Sequence, residues 1–264
     1  MRSGKVAVAF AVLLVISFAV MNAMPSDTLP AALLQEAVLA LAAFAAVGFA
    51  IPDALKRCTQ TVQQRNIVRF TTITLLLVGL VGGAITLLAW LFAGGGTMAC
   101  FASTALPSIV DLMENLLLLL GICLLTGLYE ESFMRVLGIE AFERALDTKR
   151  AILASAALFA LLHVGTPDVS AGQLVLLQTA LKFTQALLFG VILGVLYAQT
   201  RRLWPCALIH AGFDVLYLGP NVLLAGTMPE TYASGAASDT ILLLAVTVLM
   251  LACVVLKMRK EISR

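Results

Sequence analysis

The sequence predicts an all-α fold, a polytopic membrane helix bundle of about eight transmembrane helices, and three observations carry that expectation. Of the 264 residues, 61% are hydrophobic and 12% charged, a balance far from that of soluble domains. Apolar runs of about 20 residues, enough to cross a ~30 Å hydrocarbon core, recur along the whole chain. Basic residues gather in alternate connections between those runs and are missing from the others. No stretch is left over for a sizeable soluble unit, so residues 1–264 read as a single membrane domain.

Hydropathy places the spans at 6–23, 31–51, 70–93, 109–129, 151–163, 174–198, 204–224 and 241–256. Each is read as helix, because a lone segment in lipid must satisfy its backbone internally and the alternation of a barrel is absent. The first span, with Arg2 and Lys5 before its apolar run, has a cleaved signal peptide as its rival; its length and poor small-residue cleavage pattern favour a retained span. The fifth is short and is read as extending back toward Asp147 or lying tilted. Gly190 and Gly194 in the sixth span fit close helix packing of the small-xxx-small kind.

The connections with Lys56, Arg57 and Arg65, with Arg144, Lys149 and Arg150, and with Arg201 and Arg202 fall on one side. Arg2 and Lys5 at the start, and Lys257, Arg259, Lys260 and Arg264 at the end, join them. The positive-inside rule then predicts both termini in the cytoplasm, in a multi-pass protein of a bacterial plasma membrane. A net charge of +2 gives no reason to expect nucleic acid. Cys58, Cys100, Cys123, Cys206 and Cys253 show neither metal-ligand spacing nor the pattern of a disulfide framework. No internal repeat, low-complexity tract or nucleotide-binding glycine loop is present.

Ionisable side chains inside a span cost several kcal/mol unless paired or facing water, so each is a functional candidate. Glu36, Asp111 and Glu114 lie near the outer ends of their spans and are read as solvated or capping. Lys182, well inside the sixth span with Gln185 one turn on, is read as the partner of a carboxylate on a neighbouring helix. In the stretch GLYEESFMRVL, Glu131 and Arg135 share a helix face and are expected to form an ion pair. Glu130 is rotated by about 100° and projects into whatever cavity the bundle encloses. The competing reading is a snorkelling helix end at the membrane surface.

Both histidines of the chain, His163 and His210, fall within apolar spans. Phe159 precedes His163 by one turn, and Asp214 follows His210 by one turn on the same face. Three helices thus bring polar groups to what can be one site. A glutamate and a histidine facing a trapped water make a general base for attack on a carbonyl. A second histidine with its i+4 partner can stabilise the oxyanion, commonly worth about 3–4 kcal/mol per donor. Alternatively, Glu130, His163 and His210 bind zinc and leave a position open for water. The spacing leaves both open.

Glu130-Glu131-x-x-x-Arg135, Phe159-x-x-x-His163 and His210-x-x-x-Asp214, in that order on successive helices, resemble the CPBP family of intramembrane proteases. That family holds the type 2 CAAX prenyl proteases and bacterial relatives linked to bacteriocin processing or self-immunity. The resemblance covers a motif-bearing core of about 109–224. It implies that Glu130 and His163 activate the water, that His210 and Asp214 bind the oxyanion, and that Glu131 and Arg135 hold the structure. The eukaryotic prenyl proteases carry asparagine at the last motif position. An ionised aspartate cannot donate, so Asp214 is expected to be protonated, to orient His210, or to bind a metal. Counting about 1.5 Å per residue from the basic loops puts Glu130 and His210 in the inner leaflet and His163 some 10 Å deeper, so the fifth segment must tilt or re-enter.

The expected activity is that of an intramembrane endopeptidase with a cavity open toward the cytoplasm. Its partners are membrane lipids and a membrane-associated peptide or protein. The loop with Arg144, Lys149 and Arg150 is read as a headgroup-facing surface rather than a receptor for an acidic tail. The rivals are a proton-coupled transporter, for which no matching chain halves are seen, and a non-catalytic immunity or scaffold protein.

Overall fold

The structure is a computed structural model that describes residues 2–24, 26–55, 62–92, 107–164, 172–229 and 233–262. Cys58, Cys100, Lys56 and Arg57 lie outside the described residues, as do the side chains of Arg2, Lys257, Arg259, Lys260 and Arg264. Among the described residues there is helix and no strand. The helices are α1 (Arg2–Ala23), α2 (Leu29–Ala50), α3 (Val62–Phe92), α4 (Ile109–Glu131), α5 (Glu140–Phe142), α6 (Thr148–Val164), α7 (Gln173–Thr200), α8 (Leu203–Ala225) and α9 (Ala237–Ile262). A 3-10 turn, Pro52–Leu55, follows α2, and a π-helical segment, Ser132–Ile139, joins α4 to α5.

Seven of the helical runs are long and apolar enough to cross a membrane, and α6, at 17 residues, makes an eighth, shorter member of the bundle. Its start at Thr148 matches the expected backward extension of the fifth segment. The fourth span differs most from expectation. It does not stop near residue 129 but runs as one stretch, Ile109–Phe142, through α4, the π segment and α5. Charge had marked an end there, yet every residue from Ser132 to Ile139 is buried. The charges neutralise each other inside the protein and therefore do not need the membrane surface.

Helix ends follow local chemistry. Ser108 caps α4 in a reciprocal box: its hydroxyl accepts from the Asp111 amide at 3.2 Å, and the Asp111 carboxylate accepts from the Ser108 amide at 3.0 Å. Asp111 is thus the capping residue the sequence suggested, and Glu114 is exposed. The 3.4 Å bond from the Ala31 amide to the Thr28 hydroxyl caps α2, with Pro30 in its first turn.

Within the bundle α4 packs against α2 and α8, α8 against α3, and α6 against α7. Small residues set how closely the helices meet. A Cβ at Gly190 would stand 2.9 Å from that of Ala156, and one at Gly194 would stand 2.8 Å from Ile152, so this pair seats α7 on α6 as expected. A Cβ at Gly127 would fall 2.5 Å from the Ala207 carbonyl oxygen, which holds α4 and α8 at backbone contact one turn before Glu130 and His210. Ser155 of α6 donates to the Met134 carbonyl at 2.6 Å, tying α6 to the π segment, whose altered pairing frees carbonyls for such partners. At the end of the bundle that carries the α5–α6 and α7–α8 connections, Arg201 forks onto Glu143 with bonds of 2.7 and 2.6 Å. Thr148 donates to the same carboxylate at 2.8 Å.

Two outcomes follow from this packing. Gly127→Ala forces α8 off α4 and should cost about 1–3 kcal/mol, read as a fall in the unfolding midpoint of the purified protein in detergent. Arg201 holds the Glu143 carboxyl below its ordinary value of 4.5. Its stabilisation is therefore complete above that value and is lost as pH falls through the lower native one. The pair is partly solvated, so the loss should be no more than about 1 kcal/mol. Melting curves between pH 3 and 6 should slope less for Glu143→Gln than for the parent.

Candidate active site

Glu130 lies 12 positions before Phe142 and His163 lies 15 after Thr148, two points joined by one short turn. At about 1.5 Å per residue these are about 18 Å and about 22 Å from the same end of the bundle. The expected mismatch in depth is therefore absent. Glu130 is deeper than counted, because its helix continues through the π segment, and α6 reaches it without re-entering.

The seven sequence-predicted residues converge. Glu130 Oε1 is 3.9 Å from His163 Nε2, and Glu130 Oε2 is 3.5 Å from His210 Nε2. Asp214 Oδ2 lies 3.3 Å from the same His210 nitrogen. His163 Nδ1 donates to the Phe159 carbonyl at 2.8 Å, which fixes the ring and turns Nε2 toward Glu130. The Phe159 ring lies 4.1 Å from that of His163, centroid to centroid.

Glu131 and Arg135 form the expected pair, 3.1 Å apart, with their side chains 0% and 1% exposed. This burial overturns the snorkelling alternative. The pair also does more than brace the helix: Glu131 Oε1 stands 2.8 Å from His210 Nδ1 and orients that ring on the neighbouring helix. The Arg135 guanidinium sits 4.6 Å over the Phe159 ring, so the aromatic residue joins the ion pair to the His163 helix.

Several contributors escaped the sequence reading. Phe189 of α7 packs against the His210 ring at 4.7 Å and has no motif to mark it. Glu36 was read as solvated or capping. Instead its Oε2 is buried, with no hydrogen-bond partner in the structure, and its carboxyl neighbours Thr126 of α4. A charge inside a span was the signal, and its position near a helix end hid it. Lys182 stands with Glu130 and Asp214 around one cavity.

These groups border a cavity of about 200 Å³ whose wall includes Glu130, His163, Lys182, His210 and Asp214. A second cavity, of about 170 Å³ and largely apolar, reaches Glu130 and His163 from the side of α1, past Phe18 and Met21. Glu130 and His163 stand where the two meet.

The zinc alternative can be tested on the donor set. Among the described residues no three His, Cys, Asp or Glu side chains are placed to hold one metal ion. His210 Nε2 is directed at the Asp214 and Glu130 carboxylates, while His163 Nε2 lies 3.9 Å from Glu130. As arranged, Glu130, His163 and His210 do not form a zinc site.

Residues 112–216, which contain all three motifs, match the family model described as Rce1-like, type II CAAX prenyl endopeptidase Rce1-like. The match covers 105 of the 264 residues and supports the likeness of this segment to the CPBP family of intramembrane proteases. No curated protein matched the chain. Within the matched segment run most of α4, all of α6 and α7, and α8 as far as residue 216; α1–α3 and α9, and so Glu36, lie outside the match.

Removing one member of the buried pair should expose the double role of Glu131. Arg135→Leu leaves a buried carboxylate unbalanced and should cost about 3–5 kcal/mol. Glu131→Leu combined with Arg135→Leu should recover most of that stability. Thermal unfolding checks this, and peptide hydrolysis by the double variant should stay lost, because His210 has no partner for Nδ1.

Proposed function

We propose that the protein is an intramembrane endopeptidase that hydrolyses peptide bonds with water activated by Glu130 and His163, with no step routed through a metal. The observation that carries this reading is the placing of one carboxylate between the Nε2 atoms of both histidines in the chain. The 3.9 Å between Glu130 and His163 exceeds a direct hydrogen bond and suits a water bridging the two.

In this mechanism the water gives a proton to Glu130 as its oxygen bonds to the substrate carbonyl carbon. The carbonyl electron pair moves to oxygen, and the oxyanion accepts a hydrogen bond from His210 Nε2. That nitrogen carries a proton because both ring nitrogens face carboxylates, Glu131 on one side and Asp214 on the other. Asp214 thus serves as the orienting and balancing group, and the donor is the imidazolium. When the C–N bond breaks, Glu130 returns its proton to the leaving amine. A donor aimed at the oxyanion in a dry pocket supplies about 2.7–4 kcal/mol.

The substrate reading is a peptide or membrane-anchored protein that reaches the chamber within the bilayer. A prenyl group is not needed by any contact in this mechanism. The alternating basic connections support an orientation with both termini in the cytoplasm.

The test is cleavage of a fluorogenic peptide library by the full chain in proteoliposomes. Glu130→Gln should lower kcat by at least about 10³-fold with the protein still folded. Asp214→Asn should stay within about tenfold of the parent, since an amide can still hold or donate, whereas Asp214→Ala should fall by about 10²-fold. A zinc chelator should leave the rate unchanged. Proton flux abolished by Glu130→Gln, with no cleavage by the parent, would establish the transporter instead. An immunity function surviving joint replacement of Glu130, His163 and His210 would establish the scaffold.

A further inference from the structure

At the end of the bundle that carries the basic connections, two adjacent arginines meet different surroundings. Arg201, left-handed at φ 51°, folds its guanidinium onto Glu143 and lies against the Tyr197 ring. Its charge is balanced. Arg202 is 7% exposed, its Nε is buried without a hydrogen-bond partner, and no ion pair joins it to another described residue. A buried guanidinium with no carboxylate opposite it is costly, and an anion from outside the chain relieves that cost.

The backbone adds to the same charge. Arg202 is the N-cap residue of α8, and no side chain caps that helix or places a carboxylate in its first turn. The free first-turn amides and the positive end of a 23-residue helix therefore stand beside the guanidinium. Further along α8, Trp204 is 38% and Leu208 55% exposed, one turn apart, with Trp204 against the Phe44 ring of α2. Positive charge at the bundle end with an apolar strip below it matches a phospholipid, phosphate at the surface and acyl chain along the helix. Exposed Lys149 and Arg150 at the same end disfavour a headgroup that carries its own cation. We propose that Arg202 and the first turn of α8 bind the phosphate of an anionic phospholipid, with an acyl chain on Trp204 and Leu208. A free phosphate ion offers the same oxyanion, but the apolar strip favours the lipid. The site stands apart from the chamber, about 12 Å along α8 from His210, and does not depend on the peptidase reading.

Fluorescence quenching tests it. The chain has two tryptophans, so Trp90→Phe leaves Trp204 as the reporter beside the site. Full-length Trp90→Phe protein is reconstituted in phosphatidylcholine vesicles with increasing fractions of brominated phosphatidylglycerol or, in parallel, brominated phosphatidylcholine, whose bromines quench a tryptophan that touches their chains. The glycerol lipid should quench with at least about fivefold higher relative affinity, the effect of one arginine on an anionic headgroup. Arg202→Met should bring the ratio close to one, and Arg202→Lys should keep part of it. High salt screens exposed charge far more than a buried contact, so the preference should persist there. It should also persist in Arg144→Met with Lys149→Met, which removes two exposed cations of the same end. With no substitution at all, the parent in neutral detergent should melt higher with added phosphatidylglycerol than with phosphatidylcholine.

Equal quenching by the two lipids, or a preference that survives Arg202→Met, overturns the site. A preference lost at high salt, or in Arg144→Met with Lys149→Met, also overturns it and assigns the effect to diffuse surface charge. If the Arg202 variants do not fold, equal melting of the parent with both lipids overturns it unaided. Inorganic phosphate that raises the parent's midpoint as far as phosphatidylglycerol does overturns the lipid assignment in favour of a free anion.

Discussion

The architecture depends on a charge pair sealed inside a membrane bundle. Glu131 and Arg135 are almost completely buried, so removing either leaves the other without a balancing charge. Their mutual neutralisation lets the fourth span pass through Glu130 and Glu131 and continue as a π segment to Phe142, where a sequence reader would stop it. The same carboxylate reaches across to His210, and the same guanidinium lies on Phe159. One pair thereby fixes the relative positions of α4, α6 and α8, the three helices that bear the site.

That fixation separates two adjacent glutamates into different environments. Glu131 has its oxygens engaged by Arg135 and His210, while Glu130, about 100° round the helix, opens on two cavities. A buried pair of this sort is weak evidence of stabilisation in itself, since apolar residues of equal volume often serve as well. Its retention here is better understood through geometry. Apolar replacements fill the same space but give His210 nothing to hold its ring.

The site is also more acidic than the motifs suggest. Glu36, from a helix outside the family match, buries a carboxylate oxygen beside Thr126 of α4, which lines the same cavity as Glu130 and Asp214. Helices outside the matched segment therefore pack polar groups next to the chamber. The α1 side adds an apolar approach, past Phe18 and Met21, to the same Glu130 and His163. Polar cavity and apolar approach meeting at one carboxylate is the arrangement expected where water and a lipid-borne chain must come together.

By itself the sequence determined the membrane class, the helical state of each span, the Gly190 and Gly194 contact, and the pairing of Glu131 with Arg135. All of these follow from composition or from spacing along one helix, where geometry is fixed at 3.6 residues per turn. The convergence of Glu130, His163 and His210 was legible only as chemistry in search of a shared site. Tertiary structure alone decided the depth of Glu130, the turn of Glu36 inward, the packing of Phe189 on His210, and the hold of Glu131 on a ring 79 positions away. Charge reports a membrane surface only when its partner is water. When the partner is another helix, the sequence carries the same letters, and only packing tells the two apart.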